Sequence, residues 1–580
     1  MSEERRFKGL GVSAGIAIGT AYVRESGAIE VAEYSIPPAE IGDELERLGV
    51  AVKRAQRQIG RLQTKARKMP GAAAEELGFL LEAYQQMLHN SRLVRGACER
   101  VKDERINAEA AVQREINAIA ETFQAMDDAY IAARFDDIRE VGNRLVLNLT
   151  GTPVRPFSSV PVGSIVIAEQ LTPADMAQLD PGRVLGVATM LGGAESHTAI
   201  MARALRLPTV LGVPDLLEGV RSGEPVIVDG NVGHIAINPT PATVAETERQ
   251  RDDYTAEARG LRRLRTLPAV SRDGTKIVLQ ANIELPIEMS MVAESGAEGI
   301  GLLRSEFMFM NREDLPTEEE QYEVIRDLVT AMHGQPVTIR SLDVGGDKAL
   351  NPVTCEMDDS AASVLGLRGI RLSLAHADVL ETQFRAMLQA ANHGDVRILL
   401  PMVSTVSEVR QARALLKKAA AKLKRRRIKL SDSLPPLGVM IEVPGAALAA
   451  DALAQASDFL AIGSNDLTMY TLAVDRANEH VAHLFDPLHP GVLRLIQFTA
   501  GAALRARIPL SICGEMAGDP RYTALLLGLG MRELSMTPAR IARVKRRIRE
   551  MDVIAASQRA ELIMDQVDSG RIATLLDDFN

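Results

Sequence analysis

The chain reads as a multidomain α/β protein: an N-terminal α/β domain with a helical bundle inserted into it, then a C-terminal TIM-type (β/α)8 barrel. Three observations predict this. From residue 271 to the end, eight short apolar runs alternate with helical stretches. Between residues 39 and 149, glycine and proline become rare and apolar residues recur three and four apart. On either side of that block, strand-like runs return. A chain of 580 residues is also too long for one hydrophobic core, so about three domains are expected.

The first strand pattern, GLGVSAGIAIGTAYV at 9–23, is punctuated by glycine. The helical block follows; Leu45, Leu48, Val52, Ile59 and Leu62 mark its period, and Met69-Pro70-Gly71 breaks it. The spacing predicts about four helices. Such an insert either docks a partner through an apolar groove or simply packs. Strand-like runs at 163–168, 184–190 and 225–229 alternate with helical pieces at 173–179 and 196–205. The domains are therefore set at 1–30 with 150–240, 31–149 for the insert, 241–268 for a charged linker helix, and 269–580 for the barrel.

The eight runs of the barrel lie at 277–284, 299–306, 337–343, 398–403, 438–443, 459–466, 509–515 and 532–536. Repeated strand-then-helix units of this length close into a barrel whose chemistry sits at the carboxyl ends of the strands. Those ends carry Glu284, Arg304, Arg340, Glu442, Asn465, Asp466 and Cys513.

Arg304, Arg340 and Arg476, with Arg368 as a fourth, gather guanidinium groups that keep their charge and grip carboxylate or phosphate in two places. They expect an anionic substrate. Glu442 and Asp466 end neighbouring strands, and two carboxylates with open positions suit Mg²⁺. Cys513 follows an apolar strand, where cysteine usually packs as a small core residue. Beside an enolate it would instead be placed to protonate carbon.

Composition limits the remaining classes. A formal charge of -9 argues against a nucleic-acid binder, and the basic run KLKRRRIK at 422–429 reads as a solvated helix face. Cys98, Cys355 and Cys513 are odd in number and widely spaced, which excludes a disulfide framework and fits a reducing compartment. The start lacks a signal-peptide core, and no stretch is apolar enough to insert in a membrane. A cytoplasmic location is expected.

The segment LGGAESHTAIMARALRLPTVLG, 191–212, carries the most information. A Gly-Gly turn leads to Ser196, a good N-cap, and then to His197 on the first helical turn. A phosphoryl group on that imidazole would lie near free backbone N–H groups and the positive end of the helix dipole. A neutral imidazole is nucleophilic near pH 7 and holds phosphate in a transferable P–N bond. His480, His483 and His489 lack such a setting and read as loop residues near the barrel rim.

GGAESHTAIMAR resembles the phosphohistidine signature shared by Enzyme I of the bacterial phosphotransferase system, PEP synthase and pyruvate phosphate dikinase (PEP being phosphoenolpyruvate). GAEGIGLLRSEFMFM, DVGGDK, GVMIEVP, IGSNDLTMYTLAVDR and CGEMAGDP are similar to Enzyme I in particular. The resemblance runs nearly end to end, and the chain has no room for the nucleotide-grasping domain of the other two.

The resemblance implies a phosphohistidine domain that swings, an insert that docks an HPr-type carrier, and a barrel that dimerises. It implies that Arg304, Arg340, Arg368, Asn465 and Arg476 hold PEP, that Glu442 and Asp466 bind Mg²⁺, and that Arg203 contacts the phosphoryl group on His197. Cys513 would protonate the leaving group to give pyruvate.

Three positions depart from the family pattern: Glu195, Met176 and Ala362-Ser363. The first two fall near His197 and bear on transfer potential or partner choice. The expected function is PEP-protein phosphotransfer, as the first step of sugar uptake. The same chemistry feeding a nitrogen-type regulatory relay is the alternative, and a non-catalytic PEP-sensing scaffold is the rival from another class.

Overall fold

The structure, a computed structural model, describes residues 4–24, 31–66, 72–89, 91–124, 129–151, 160–176, 178–193, 197–309, 314–345, 365–475 and 480–579. It divides into two compact units, Met1–Glu257 and Ala258–Asn580.

The first unit holds an eight-stranded sheet. Its strands are β1 (Arg5–Lys8), β2 (Leu10–Ser13), β3 (Ile16–Arg24), β4 (Ser164–Ala168), β5 (Val184–Thr189), β6 (Thr209–Leu211), β7 (Pro225–Asp229) and β8 (His234–Ile237). Their order is β1-β8-β7-β3-β4-β5-β6-β2, parallel from β3 through β6 and antiparallel at the other pairings. The sequence reading missed β1, β6 and β8. Each has three or four residues, too few to show a period of two.

Five helices lie between β3 and β4 among the described residues, where about four were expected: α1 (Ile41–Ala66), α2 (Ala72–Leu88), α3 (Arg92–Asp103), α4 (Ala108–Gln124) and α5 (Ala129–Thr150). The expected break at Met69-Pro70-Gly71 lies outside the described residues. The insert shares its core with the sheet. Along β4, Val166 and Ala168 join Leu48, Ile59, Leu81 and Leu145 of the helices, while Ile165 and Ile167 pack with Val226, Val228 and Ile235 on the other face. A strand covered on both faces reads as a continuous apolar run, as SIVIA does. A charged clasp closes the bundle: Arg47 meets Glu44 at 2.7 Å and Glu109 at 2.5 Å. After β5 comes α6 (His197–Leu205), and after β8 comes α7 (Pro241–Arg263), the expected charged helix.

The second unit is a closed barrel of eight parallel strands. These are β9 (Val278–Ile283), β10 (Ile300–Arg304), β11 (Val337–Arg340), β12 (Val396–Leu400), β13 (Leu437–Ile441), β14 (Leu460–Gly463), β15 (Leu510–Cys513) and β16 (Glu533–Met536). Six lie within the expected apolar runs, while β12 and β13 overlap theirs and begin two residues and one residue earlier. Strand alternation separates two cores. Leu303, Ile398, Leu400, Val439, Ile441, Ile462 and Ile512 join the large cluster made with the surrounding helices. Their neighbours Leu302, Leu399, Met440, Ala461 and Cys513 form a smaller cluster with Phe459. No described helix is long and apolar enough to cross a membrane. The basic run at 422–429 is partly paired, with Lys422 on Glu381 and Arg426 on Glu318.

Candidate active site

Closure of the barrel brings the strand ends to one mouth. Arg304 is the last residue of β10, Arg340 of β11 and Cys513 of β15; Glu442 follows β13 directly. Asn465 and Asp466 open the helix Ser464–Leu472 that leaves β14.

Arg340 and Arg368 are 3% and 2% exposed, so their charges need partners. Arg340 pairs with Glu306 at 2.7 Å and with Asp343 at 3.2 Å. Arg368 reaches both oxygens of Asp343 at 3.3 Å, the Tyr470 hydroxyl at 3.1 Å and Asp466 at 3.5 Å. Burial works against both charges, and the surrounding carboxylates more than offset it, so both guanidinium groups stay ionised. The sequence reading assigned no role to Glu306, Asp343 or Tyr470. The available signal was position, since Glu306 and Asp343 each follow a strand-end arginine by two or three residues.

Glu442 is 1% exposed. Its Oε1 accepts a 2.6 Å hydrogen bond from the Met402 backbone N–H. Its Oε2 is buried with no hydrogen-bond partner, as is Ser464 Oγ at the start of the helix after β14. Burial, then Asp466 and Asp343, raises the Glu442 carboxyl well above the usual range. A buried carboxylate oxygen facing other negative groups is the arrangement a cation relieves, so Glu442 and Asp466 fit a divalent metal. No third His, Cys, Asp or Glu joins them among the described residues. The remaining ligands would be water and substrate.

Cys513 is 3% exposed, its Sγ lies 3.6 Å from the Ile462 carbonyl, and burial pushes its thiol up to about 12. Asn465 is fixed at the rim: its Oδ1 accepts from the Glu515 N–H at 3.1 Å and its side-chain amide donates to Glu515 Oε1 at 3.2 Å. Arg304 is paired with Glu284 at the end of β9. Arg476 lies outside the described residues. Of the rim histidines, His489 caps the helix Pro490–Ala506, accepting from the Gly491 N–H at 3.1 Å.

In the first unit, Gly192 holds φ at +125°, a conformation other residues rarely adopt, just before α6. His197 is the first residue of that helix, as expected, while the Glu195 and Ser196 positions lie outside the described residues. Arg203 Nε donates to the Val12 carbonyl at 3.1 Å, which ties it toward β2. Met176 is fully buried in the core shared with the inserted helices. The Ala362-Ser363 position is outside the described residues.

Three family models match the chain: PEP-utilising enzyme, N-terminal at 8–134; PEP-utilising enzyme, mobile domain at 160–233; and PEP-utilising enzyme, PEP-binding domain at 258–553. The phosphoenolpyruvate-protein phosphotransferase of Cupriavidus necator is 41% identical over 569 residues, covering 96% of both chains. The chain belongs to the phosphoenolpyruvate-protein phosphotransferase family. Other members with that name include the Geobacillus stearothermophilus protein, 37% identical over 97% of this chain and 96% of its own. The Staphylococcus carnosus protein is 35% identical over 99% of each. The model for the PEP-binding domain covers all eight barrel strands, and the model for the mobile domain contains His197. The matched models thus divide along this chain as the arginine-bearing mouth and the histidine segment do.

Proposed function

We propose that the chain transfers the phosphoryl group of PEP to His197 and then to a histidine of an HPr-type carrier protein. The observation that carries the reading is the convergence of Arg304, Arg340, Arg368, Glu442, Asp466 and Cys513 at the carboxyl end of one barrel. Arg304, Arg340 and Arg368, with Asn465 and Arg476, hold the carboxylate and phosphate of PEP. Glu442 and Asp466 hold Mg²⁺, which when bound neutralises charge on the substrate oxygens.

The His197 imidazole attacks phosphorus, so an N–P bond forms as the bond to the enol oxygen breaks. The electron pair returns through oxygen to the methylene carbon, which takes the Cys513 proton and leaves as pyruvate. The phosphorylated imidazole releases its N–H proton to solvent, and solvent returns a proton to the Cys513 thiolate. Preorganised charge and in-line placement supply most of the barrier reduction. The His197 domain then swings toward the carrier docked on the helices of 31–149, and Arg203 accompanies the phosphoryl group. A cytoplasmic homodimer formed through the barrel completes the reading.

Incubation with PEP labelled in phosphorus tests it. Acid-labile label is expected on the wild-type chain, passing to an HPr-type carrier, with none on His197→Ala. Label persisting on His197→Ala overturns the assignment. The same chemistry feeding a nitrogen-type regulatory relay is a second reading, supported by Met176, whose buried thioether offers the phosphoryl group no hydrogen-bond donor. A panel of carriers separates the two by which one takes the label.

A further inference from the structure

The mouth holds two kinds of ion pair. Arg340 and Arg368 have side chains 4% and 2% exposed, and their partners Glu306 and Asp343 are 13% and 0% exposed. Separating such a pair strands a buried charge, which is strongly unfavourable. The Arg304–Glu284 pair is different, with side chains 39% and 62% exposed. In a solvated pair, water takes over much of the interaction, so the partner exchanges at little cost.

Glu284 is also held where it must compete. It follows β9, beside the β10 end that carries Arg304. Its backbone N–H donates to Glu288 Oε2 at 2.6 Å, and the Leu285 N–H donates to the same oxygen at 2.9 Å. Glu288 thereby pins the turn after β9 and keeps the Glu284 carboxylate facing Arg304.

We propose that Glu284 is an exchangeable counter-ion at the substrate site: Arg304 takes the incoming anion only by releasing Glu284, and this exchange sets the affinity for PEP. Glu288 is the positioning residue for that contact. The inference rests on the reading of the barrel mouth as the PEP site. A carboxylate beside a site for a polyanion opposes binding twice, by occupying the guanidinium and by repelling the ligand.

The test is PEP binding to the full-length chain by titration calorimetry, together with KM and kcat for pyruvate release. Glu284→Gln keeps the shape and removes the charge. PEP affinity should rise roughly two- to fivefold, the size of a solvated ion pair, with KM falling by more than kcat changes. The gain should shrink as salt screens the pair. In an Arg304→Ala background the same Glu284→Gln change should raise affinity by clearly less than in the wild type, because only the repulsion is left to remove. Unchanged or weaker PEP binding by Glu284→Gln overturns the proposal, as does an equal gain in the Arg304→Ala background. Absence of PEP binding by the wild-type chain is a separate result, which sinks the substrate assignment itself.

Discussion

Asp343 receives Arg368 on both carboxylate oxygens, at 3.3 Å each, and the same carboxylate stands 3.2 Å from Arg340. One fully buried acid therefore supplies the counter-charge for two nearly buried arginines from different stretches of the barrel.

Asp343→Asn is expected to destabilise the barrel by about 3–5 kcal/mol, since it leaves two guanidinium groups short of charge in a buried site. Chemical denaturation of the wild-type and mutant chains measures this. A loss below about 1 kcal/mol would mean that Glu306 and Asp466 suffice alone.

Gly463 bears on the metal. A Cβ there would lie 2.9 Å from Glu442 Oε2 and 3.0 Å from Glu442 Cβ. The backbone of Gly463, at φ -88°, suits any residue, so Gly463→Ala acts by crowding the Glu442 side chain, with Met440 Sδ also at 3.2 Å. The divalent-metal concentration for half-maximal activity should rise roughly tenfold or more, as when a ligand loses its orientation. An unchanged metal requirement would place the metal elsewhere.

Cys513 titrates near 12 because burial disfavours its thiolate, with the Glu442 charge adding to the effect. The folded state binds this proton more tightly than a free thiol does, so the acid form persists through the whole working range and is lost only as pH approaches 12. Pyruvate formation should show no alkaline decline from this group below about pH 10. In metal-free protein, alkylation of Cys513 at pH 8 should be about a thousandfold slower than for a free thiol, the ratio set by the thiolate fraction. Cys513→Ala should lower kcat by about 10²–10⁴ with little change in PEP affinity. Full turnover by that mutant would make Cys513 a packing residue.

Glu195 stands two residues before His197. A carboxylate there either faces solvent or, within range of the phosphoryl group, repels it and favours the protonated, non-nucleophilic imidazole. Glu195→Thr should therefore raise the phosphorylated fraction at a fixed PEP-to-pyruvate ratio about fivefold at low salt, and less at high salt. An equilibrium identical to wild type removes Glu195 from the mechanism.

The eight apolar runs, the helical texture of the insert and the Gly-Gly-to-helix approach to His197 were all legible in the chain, because each is a local pattern of side chains within one element. Strand-end arginines and carboxylates were legible for the same reason: a barrel places its strand ends together whatever the details. What they do to one another was not. Glu442 faces Asp466, Asp343 joins Arg340 to Arg368, and Glu284 meets Arg304 only after β9–β16 close and distant segments share one low-dielectric mouth. The short strands β1 and β6 likewise exist because distant partners, β8 and β2, pair with them. Periodicity is set by neighbours along the chain, so sequence determined the elements and the candidate groups. Burial and charge pairing are set by neighbours in space, so only the tertiary structure decided which arginine is buried, which is exchangeable, and which carboxylate oxygen is left without a partner.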